Sequence, residues 1–389
     1  MVQTQSNAPW ISLRRCPRPL GDVVAGIRVP DYGRGSLAEL LPSVCDGLRV
    51  PGFWDYFELG EFRRAIVVVI DGLGYEQLHR HESLAPVLSG ADRGPITTVF
   101  PSTTPTALTS LGTGLAPGAH GLIGATFRMG DQLFAPLGWG QEPPATVIQP
   151  EPTCWERAAS AGVHVAIVSP RPYRDGGLTG SAFRGGRYIG ADAIGERVAE
   201  IHREVRNGTR ALVYGYWEGL DKVGHVHGVD SPHYRAELVM VDQFIAALRT
   251  DLPADTALIV TADHGMVDCD TAVEVDGADL LTEVSMLAGE PRMRQVYARP
   301  GRTGAVLARW QEELLGQAEV ISRDEAIDRE WFGEVTSDHR DRIGDVLALA
   351  DSGIRLVANS RDSILSGLRG QHGALTEAEI LVPLAVFRD

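Results

Sequence analysis

A chain of 389 residues with 44% apolar and 22% charged side chains has the composition of a globular protein with room for one large domain or two modest ones. Its formal charge of −15 argues against a general binder of nucleic-acid polymers, since phosphate contacts need a basic face; an anionic small substrate would need local positive charge from metal ions, helix N-termini or a few arginines. The strongest apolar run, Ala65 to Ile70, is strand-sized and far short of the roughly 18 residues of a membrane helix, so no membrane partner is expected.

Residues 1–60 read as an irregular N-terminal arm with a short helical piece at "SLAELLPSVCDGL" and turns at "VPDYGRGS" and "PGFWDY". The extreme N-terminus has no continuous apolar stretch of the kind a secretory signal needs. Four scattered cysteines (Cys16, Cys45, Cys154 and Cys269) form no CxxC pair, which fits reduced thiols and a cytoplasmic location. Four apolar, β-branched runs follow, "AIVVVIDGLG", "VHVAIVSP", "RALVYGYWEGLD" and "TALIVTADHGM". Near-continuous runs of this type predict strands buried on both faces. Amphipathic patterns such as "TCWERAASAG" and "HYRAELVMVDQFIAALRTDL" lie between them. The alternation predicts an α/β fold with a mostly parallel central sheet, whose ligands gather beyond the carboxyl ends of the strands. Residues 272–362 change texture and read as a smaller α+β insertion, so that the core comprises 61–271 and 363–389.

The strand ends carry chemistry. The first run ends in Asp71, the third leads to Asp221 and His225 in "DKVGH", the fourth to Asp263 and His264 in "ADHG", and a later loop holds His372. Taken singly, each has an ordinary structural explanation: Asp71 as a helix N-cap, a D-x-x-G-H pair four apart on a helix by chance, His372 as a satisfied loop histidine. Jointly they are three carboxylates and three imidazoles without a thiolate, a donor set suited to two divalent ions, Zn²⁺ first and Mn²⁺ second. Such paired sites clamp the attacking and leaving oxygens of a phosphoryl displacement.

The stretch "TTVFPSTTPTALTSLGTGLAPGAHG", residues 97–121, holds seven Thr and two Ser and could be a polar linker or the seat of a nucleophile. The candidates are Ser102, Thr103, Thr104 and Thr106. Pro105 suits the first turn of a helix running through "TALTSLGTG", and a helix start favours phosphate and an alkoxide.

In this order, "IDGLG", the Thr-rich stretch ending "TGLAPGAHG", "DKVGH", "TADHGM" and the late "HG" resemble the alkaline phosphatase superfamily. The branch they resemble is the type I phosphodiesterase/nucleotide pyrophosphatase family, over residues 65–385. The resemblance implies an alkaline-phosphatase-like three-layer sandwich and a pair of Zn²⁺ ions. One would sit on Asp221, His225 and His372, the other on Asp71, Asp263, His264 and the nucleophile's hydroxyl. The family's nucleophile stands ten residues before the Gly of a "TG" pair; counting back from Gly114 reaches Thr104, with Thr103 the runner-up. The implied activity is hydrolysis of a phosphodiester or phosphoanhydride, on a nucleotide-like small substrate, through a phospho-threonine. A phosphomonoesterase or phosphotransferase on the same scaffold, and a non-catalytic metal-binding relative, are the alternatives.

The chain departs from the family in having Ala107 where an Asn usually helps hold a phosphate oxygen. It also lacks the sulfatase signature and an Arg beside the nucleophile, which points to diesters, although Arg128 or Arg174 could fold in. His120 and His227 read as structural more readily than as ligands. Tyr216, Trp217 and Phe127 are as readily core aromatics as platforms for a base.

Overall fold

The computed structural model describes residues 23–24 and 26–388. The reading of the extreme N-terminus, Cys16 included, therefore lies outside the described residues.

The main-chain elements that position the site are, in chain order, helix α1 (Leu37–Gly47), strands β1 (Arg64–Ile70) and β2 (Asp92–Thr97), and helices α2 (Thr104–Thr113) and α3 (Cys154–Ser160). Next come β3 (His164–Ser169), β4 (Arg187–Gly190), α4 (Ile194–Val205), β5 (Ala211–Trp217), α5 (Gly219–His227), α6 (Pro232–Arg249) and β6 (Thr256–Thr261). A second set comprises β7 (Val284–Glu290), β8 (Met293–Ala298), β9 (Ala318–Ser322) and β10 (Val346–Ala350), and β11 (Leu381–Arg388) closes the chain.

Seven strands form the central sheet in the order β2-β11-β6-β1-β5-β3-β4. Neighbours from β6 to β4 pair in parallel, and only β11 runs against the rest. In β1 every residue after Arg64 is buried, as the unbroken apolar run requires of a strand covered on both faces. The two-residue period of β5 shows the layers: Tyr214 packs edge-on against Trp155 of α3, while a Cβ on the next residue, Gly215, would meet Ile201 of α4. Helices therefore cover opposite faces, giving a three-layer α/β sandwich around one large core.

Residues 1–60 hold more than the expected irregular arm, and β2 and β4 are strands without a periodic signal in the sequence. In the structure α1 opens with a Ser36 capping box and buries Leu37, Leu40, Leu41 and Val44 in the same core as the sheet. Strands β2 ("DRGPIT") and β4 ("RYIG") lie at the two edges, where short runs with Gly and Pro give little periodic signal.

Strands β7 to β10 make a separate antiparallel sheet in the order β7-β8-β10-β9, with its own core around Val296, Trp310 and Val346. It meets the main body through a mixed cluster that includes Phe100, Phe127, Met293, Leu347 and Leu375.

Candidate metal centre

Register brings the first two carboxylates together. Val69 of β1 pairs with Thr261 of β6, so Asp71 and Asp263, each two residues further on, leave adjacent strands side by side. The backbone N–H of Asp71 donates to the carbonyl of Trp217 at the end of β5, which carries the ladder one residue beyond the sheet. Gly72 follows at φ +76°; a Cβ there would lie 3.0 Å from the Cα and Cβ of Asp221, so the absent side chain lets the start of α5 close against the strand end. Asp221 stands in the first turn of α5, with His225 one turn later on the same face. His372 comes from the loop before β11.

Two ligand groups result: Asp71, Asp263 and His264, all buried, and Asp221, His225 and His372, the first two partly exposed. Within each group the donor atoms lie within 4.8 Å of one another. His264 Nε2 is 3.4 Å from Asp71 Oδ1 and 3.6 Å from Asp263 Oδ2; His225 Nε2 is 3.3 Å and His372 Nε2 3.8 Å from Asp221 Oδ1. Two ligands about 2.1 Å from a tetrahedral cation stand roughly 3.4 Å apart, so the residues fit a divalent ion in each group. The groups share a wall, for the His264 and His372 rings stack with centroids 3.6 Å apart.

The hydrogen bonds around the donors leave the right atoms free. Asp71 Oδ2 accepts the Tyr216 hydroxyl, and Asp263 Oδ1 accepts the backbone N–H groups of His264 and Gly72. The oxygens left buried without a partner are Asp71 Oδ1, Asp263 Oδ2 and Asp221 Oδ1, the same three that face the imidazoles. Each imidazole spends Nδ1 on a carbonyl: Gly265 for His264 (3.1 Å), Gly370 for His225 (2.7 Å) and Ser102 for His372 (2.9 Å). That tautomer points the Nε2 lone pair inward, as metal-bound histidines require.

Electrostatics agree. Burial, then the neighbouring Asp263 and Asp221 carboxylates, push Asp71 well above the usual carboxylate range. Asp263 is also raised, chiefly by burial, against the opposing pull of His264 and with Asp221 adding to the rise. Burial, then His264 and His225, hold His372 well below the usual imidazole range, in its neutral, ligating form. Packed carboxylates of this kind repel one another unless a cation lies between them.

Thr104 opens α2, with Pro105 in the first turn and Gly114 at φ +72° ending the helix. Its Oγ1 is 3.1 Å from His264 Nε2, at the edge of the buried group. The cap residue Thr103 makes no side-chain bond to the first turn, leaving amides there for an anion. Thr103 itself is buried and faces the Glu290 carboxyl, and Ser102 holds the Gly373 amide and the Ala374 carbonyl. Of the candidate hydroxyls, Thr104 alone is within hydrogen-bond distance of a metal-group imidazole among the described residues.

Other sequence candidates go elsewhere. His120 is buried on Ser110 and the Leu122 amide, and His227 stacks on His233. Trp217 and Phe127 are core residues, Trp217 donating to Glu237 and Phe127 packing on Phe134. Tyr216 serves neither as a platform nor as a mere core ring, since its hydroxyl orients Asp71. Ala107 is fully buried within α2. Arg128 lies over the Tyr297 ring and donates to the Asp341 carbonyl, and Arg174 lies over Tyr188. The sequence reading missed Tyr173, which follows β3, sits edge-on to Tyr216 and stands beside Lys222; no local pattern marks it.

Comparison with known proteins places residues 65–375 in a match to the family described as type I phosphodiesterase/nucleotide pyrophosphatase. Human ectonucleotide pyrophosphatase/phosphodiesterase family member 5 is 26% identical over 172 residues, 42% of this chain and 34% of that protein. The chain thus matches about a third of the length of that relative. The solved structure of the murine protein of that name is similar at TM-score 0.66 and 23% identity, covering 82% of this chain and 87% of its own; an inactive form of it has been solved with AMP. Phosphonoacetate hydrolase from Sinorhizobium meliloti, solved with phosphonoformate, is similar at TM-score 0.65 and 22% identity, covering 84% and 90%.

Proposed function

The chain belongs to the type I phosphodiesterase/nucleotide pyrophosphatase family, and on that footing we propose that it hydrolyses a phosphodiester or phosphoanhydride through a phospho-threonine on Thr104. One observation carries this reading. Three unpartnered carboxylate oxygens and three oriented Nε2 atoms converge in two groups, with the Thr104 hydroxyl at their margin.

Asp71, Asp263, His264 and Thr104 would hold one divalent ion, and Asp221, His225 and His372 the other. Zinc suits this oxygen and nitrogen donor set best, with manganese second. Bound there, the ions supply positive charge that makes the threonine hydroxyl easier to deprotonate and offsets charge on the leaving oxygen. Thr104 Oγ1 gives its proton to solvent water and bonds to phosphorus as the bond to the leaving oxygen breaks in line, the leaving oxygen taking up a proton from solvent where it needs one. Water then cleaves the phospho-threonine, restoring the hydroxyl and releasing a phosphomonoester. The first-turn amides of α2 orient the phosphoryl oxygens.

Diesters are the preferred substrates in this reading, because the sequence puts no arginine next to Thr104 to neutralise a dianionic monoester, and Arg128 and Arg174 are engaged elsewhere. Tyr173 with Lys222 makes the mouth of the site suited to a nucleotide-like leaving group, aromatic and anionic. The net charge of −15 supports a small substrate over a nucleic-acid polymer, and no helix among the described residues is long and apolar enough to cross a membrane. The buried free thiols Cys45, Cys154 and Cys269 support a reducing, cytoplasmic setting.

Chelated protein assayed on bis-p-nitrophenyl phosphate should be inert and should recover on adding Zn²⁺ or Mn²⁺. Diester turnover should exceed that of p-nitrophenyl phosphate. A tenfold preference for the monoester, about 1.4 kcal/mol in the barrier, would reverse the substrate reading. Active protein free of transition metal would end the mechanism.

A further inference from the structure

We propose that Glu290, the last residue of β7, is a positioning residue of the metal centre, through which the inserted sheet holds His372 and the turn before Thr104 in place. The inference rests on the metal-centre reading above and concerns a part of the chain outside the ligand motifs.

The turn between β7 and β8 is carried into the main body. The amide of Gly289 donates to the hydroxyl (2.9 Å) and the carbonyl (3.1 Å) of Thr126, and that hydroxyl donates back to the Gly289 carbonyl (2.9 Å). Two residues beyond Glu290, the fully buried Arg292 grips both carboxylate oxygens of Glu379 at 3.0 and 2.9 Å. The carboxylate of Glu379 also accepts the Ala374 amide, and its carbonyl accepts the amide of Gly265. The hairpin tip is thereby clamped to the two loops that bear His372 and His264.

Glu290 stands in this clamp, 5% exposed. Its Oε2 is 3.7 Å from His372 Nδ1, and the Thr103 hydroxyl lies beside the carboxyl. Its Oε1 has no hydrogen-bond partner. Gly373, at φ +128°, admits it, for a Cβ at that position would lie 2.7 Å from the Glu290 carboxyl carbon. An unpartnered buried carboxyl oxygen costs folding free energy that an apolar side chain of similar volume would not. Such a residue stabilises nothing by being there, but it can fix its neighbours. On one side it packs on Gly373 and comes within 3.7 Å of His372 Nδ1, whose N–H the Ser102 carbonyl already accepts, so it confines the ring by contact and charge and not as its acceptor. On the other it faces Thr103, whose hydroxyl makes no bond to the first turn of α2 and whose backbone sets the direction in which Thr104 leaves it.

The test compares Glu290→Met, which keeps volume and loses the acceptor, with Glu290→Gln, which keeps both. Zn²⁺ is titrated calorimetrically into the chelator-stripped full chain, and diester kinetics are measured on the reloaded protein. Glu290→Met should melt no lower than the wild type when metal-free, bind one of two Zn²⁺ ions about tenfold more weakly, and lose kcat with KM little changed. Glu290→Gln should recover most of both losses. A Met variant with wild-type zinc affinity and kcat overturns the proposal; so does one that fails to fold, which would make Glu290 a residue of the fold alone. A wild-type chain that binds no Zn²⁺ instead removes the metal-centre reading itself, so the two failures are distinguishable.

Discussion

The two ligand groups share the carboxyl end of one sheet yet are built differently. Asp71, Asp263 and His264 lie at the ends of adjacent parallel strands and are buried. Asp221 and His225 lie on α5, partly open to solvent, and His372 on a loop. The buried group is held by sheet register and by the Tyr216 hydroxyl. The open group is held by a helical turn and by two carbonyl contacts, from Gly370 and Ser102. Under the function proposed above, the contrast would divide the labour: a rigid, buried group beside the nucleophile, and a more accessible group where leaving group and water come and go.

The sharpest way to break this comparison is at Thr104, which the buried group alone touches. Thr104→Ala should lower kcat by about 10³-fold or more while both metals stay bound, and Thr104→Ser should keep measurable turnover. Thr103→Ala should stay within about tenfold, by the same reasoning. If Thr103→Ala is the inactive variant, the nucleophile stands one residue earlier.

Next in size is the effect of neutralising one carboxylate in each group. Asp263→Asn should cost roughly 10²-fold or more in activity through loss of its ion. It should also raise the melting temperature of the metal-free protein, since Asp71 and Asp263 are pushed up by burial together with Asp221. Asp221→Asn should likewise lose its ion but raise the metal-free melting temperature less, since its charge adds to the rise at Asp71 and Asp263 only after burial and its own side chain is less buried. Equal thermal shifts in the two variants would erase the distinction between the groups.

Tyr216→Phe removes one hydroxyl from the buried group and leaves its ring. Metal affinity there should fall by about tenfold, the range expected for an outer-shell partner, with the open group unaffected. Titration of zinc into the stripped variant separates this from a general loss of fold. Smallest is Lys222→Ala, which removes an exposed ammonium beside Tyr173 at the open side. KM for a nucleotide-like diester should rise a few-fold with little change in kcat, whereas a neutral leaving group should be indifferent. A loss of kcat on both would place Lys222 in the chemistry instead.

Much of this protein was decided by local sequence. Unbroken β-branched runs make buried parallel strands wherever they lie, so β1, β3, β5 and β6 were legible, as were α3 and α6 from their amphipathic spacing. Metal-ligand residue types at strand ends were legible for the same reason, because the fold class dictates where strand ends converge. Tertiary structure decided what depends on neighbours distant in the chain. The edge strands β2 and β4 exist only because other strands offer them hydrogen-bonding partners, and α1 joins the core by an apolar face that has no meaning until the sheet is there. Tyr216 looked like any strand aromatic until register set its hydroxyl on Asp71, 145 residues away in sequence. Glu290 carried no local signal at all. Its place between Thr103 and His372 comes from a hairpin whose tip is clamped to the core by Thr126 and Glu379, and a contact of that kind is a property of packing, in which residue type alone says nothing about which groups will meet.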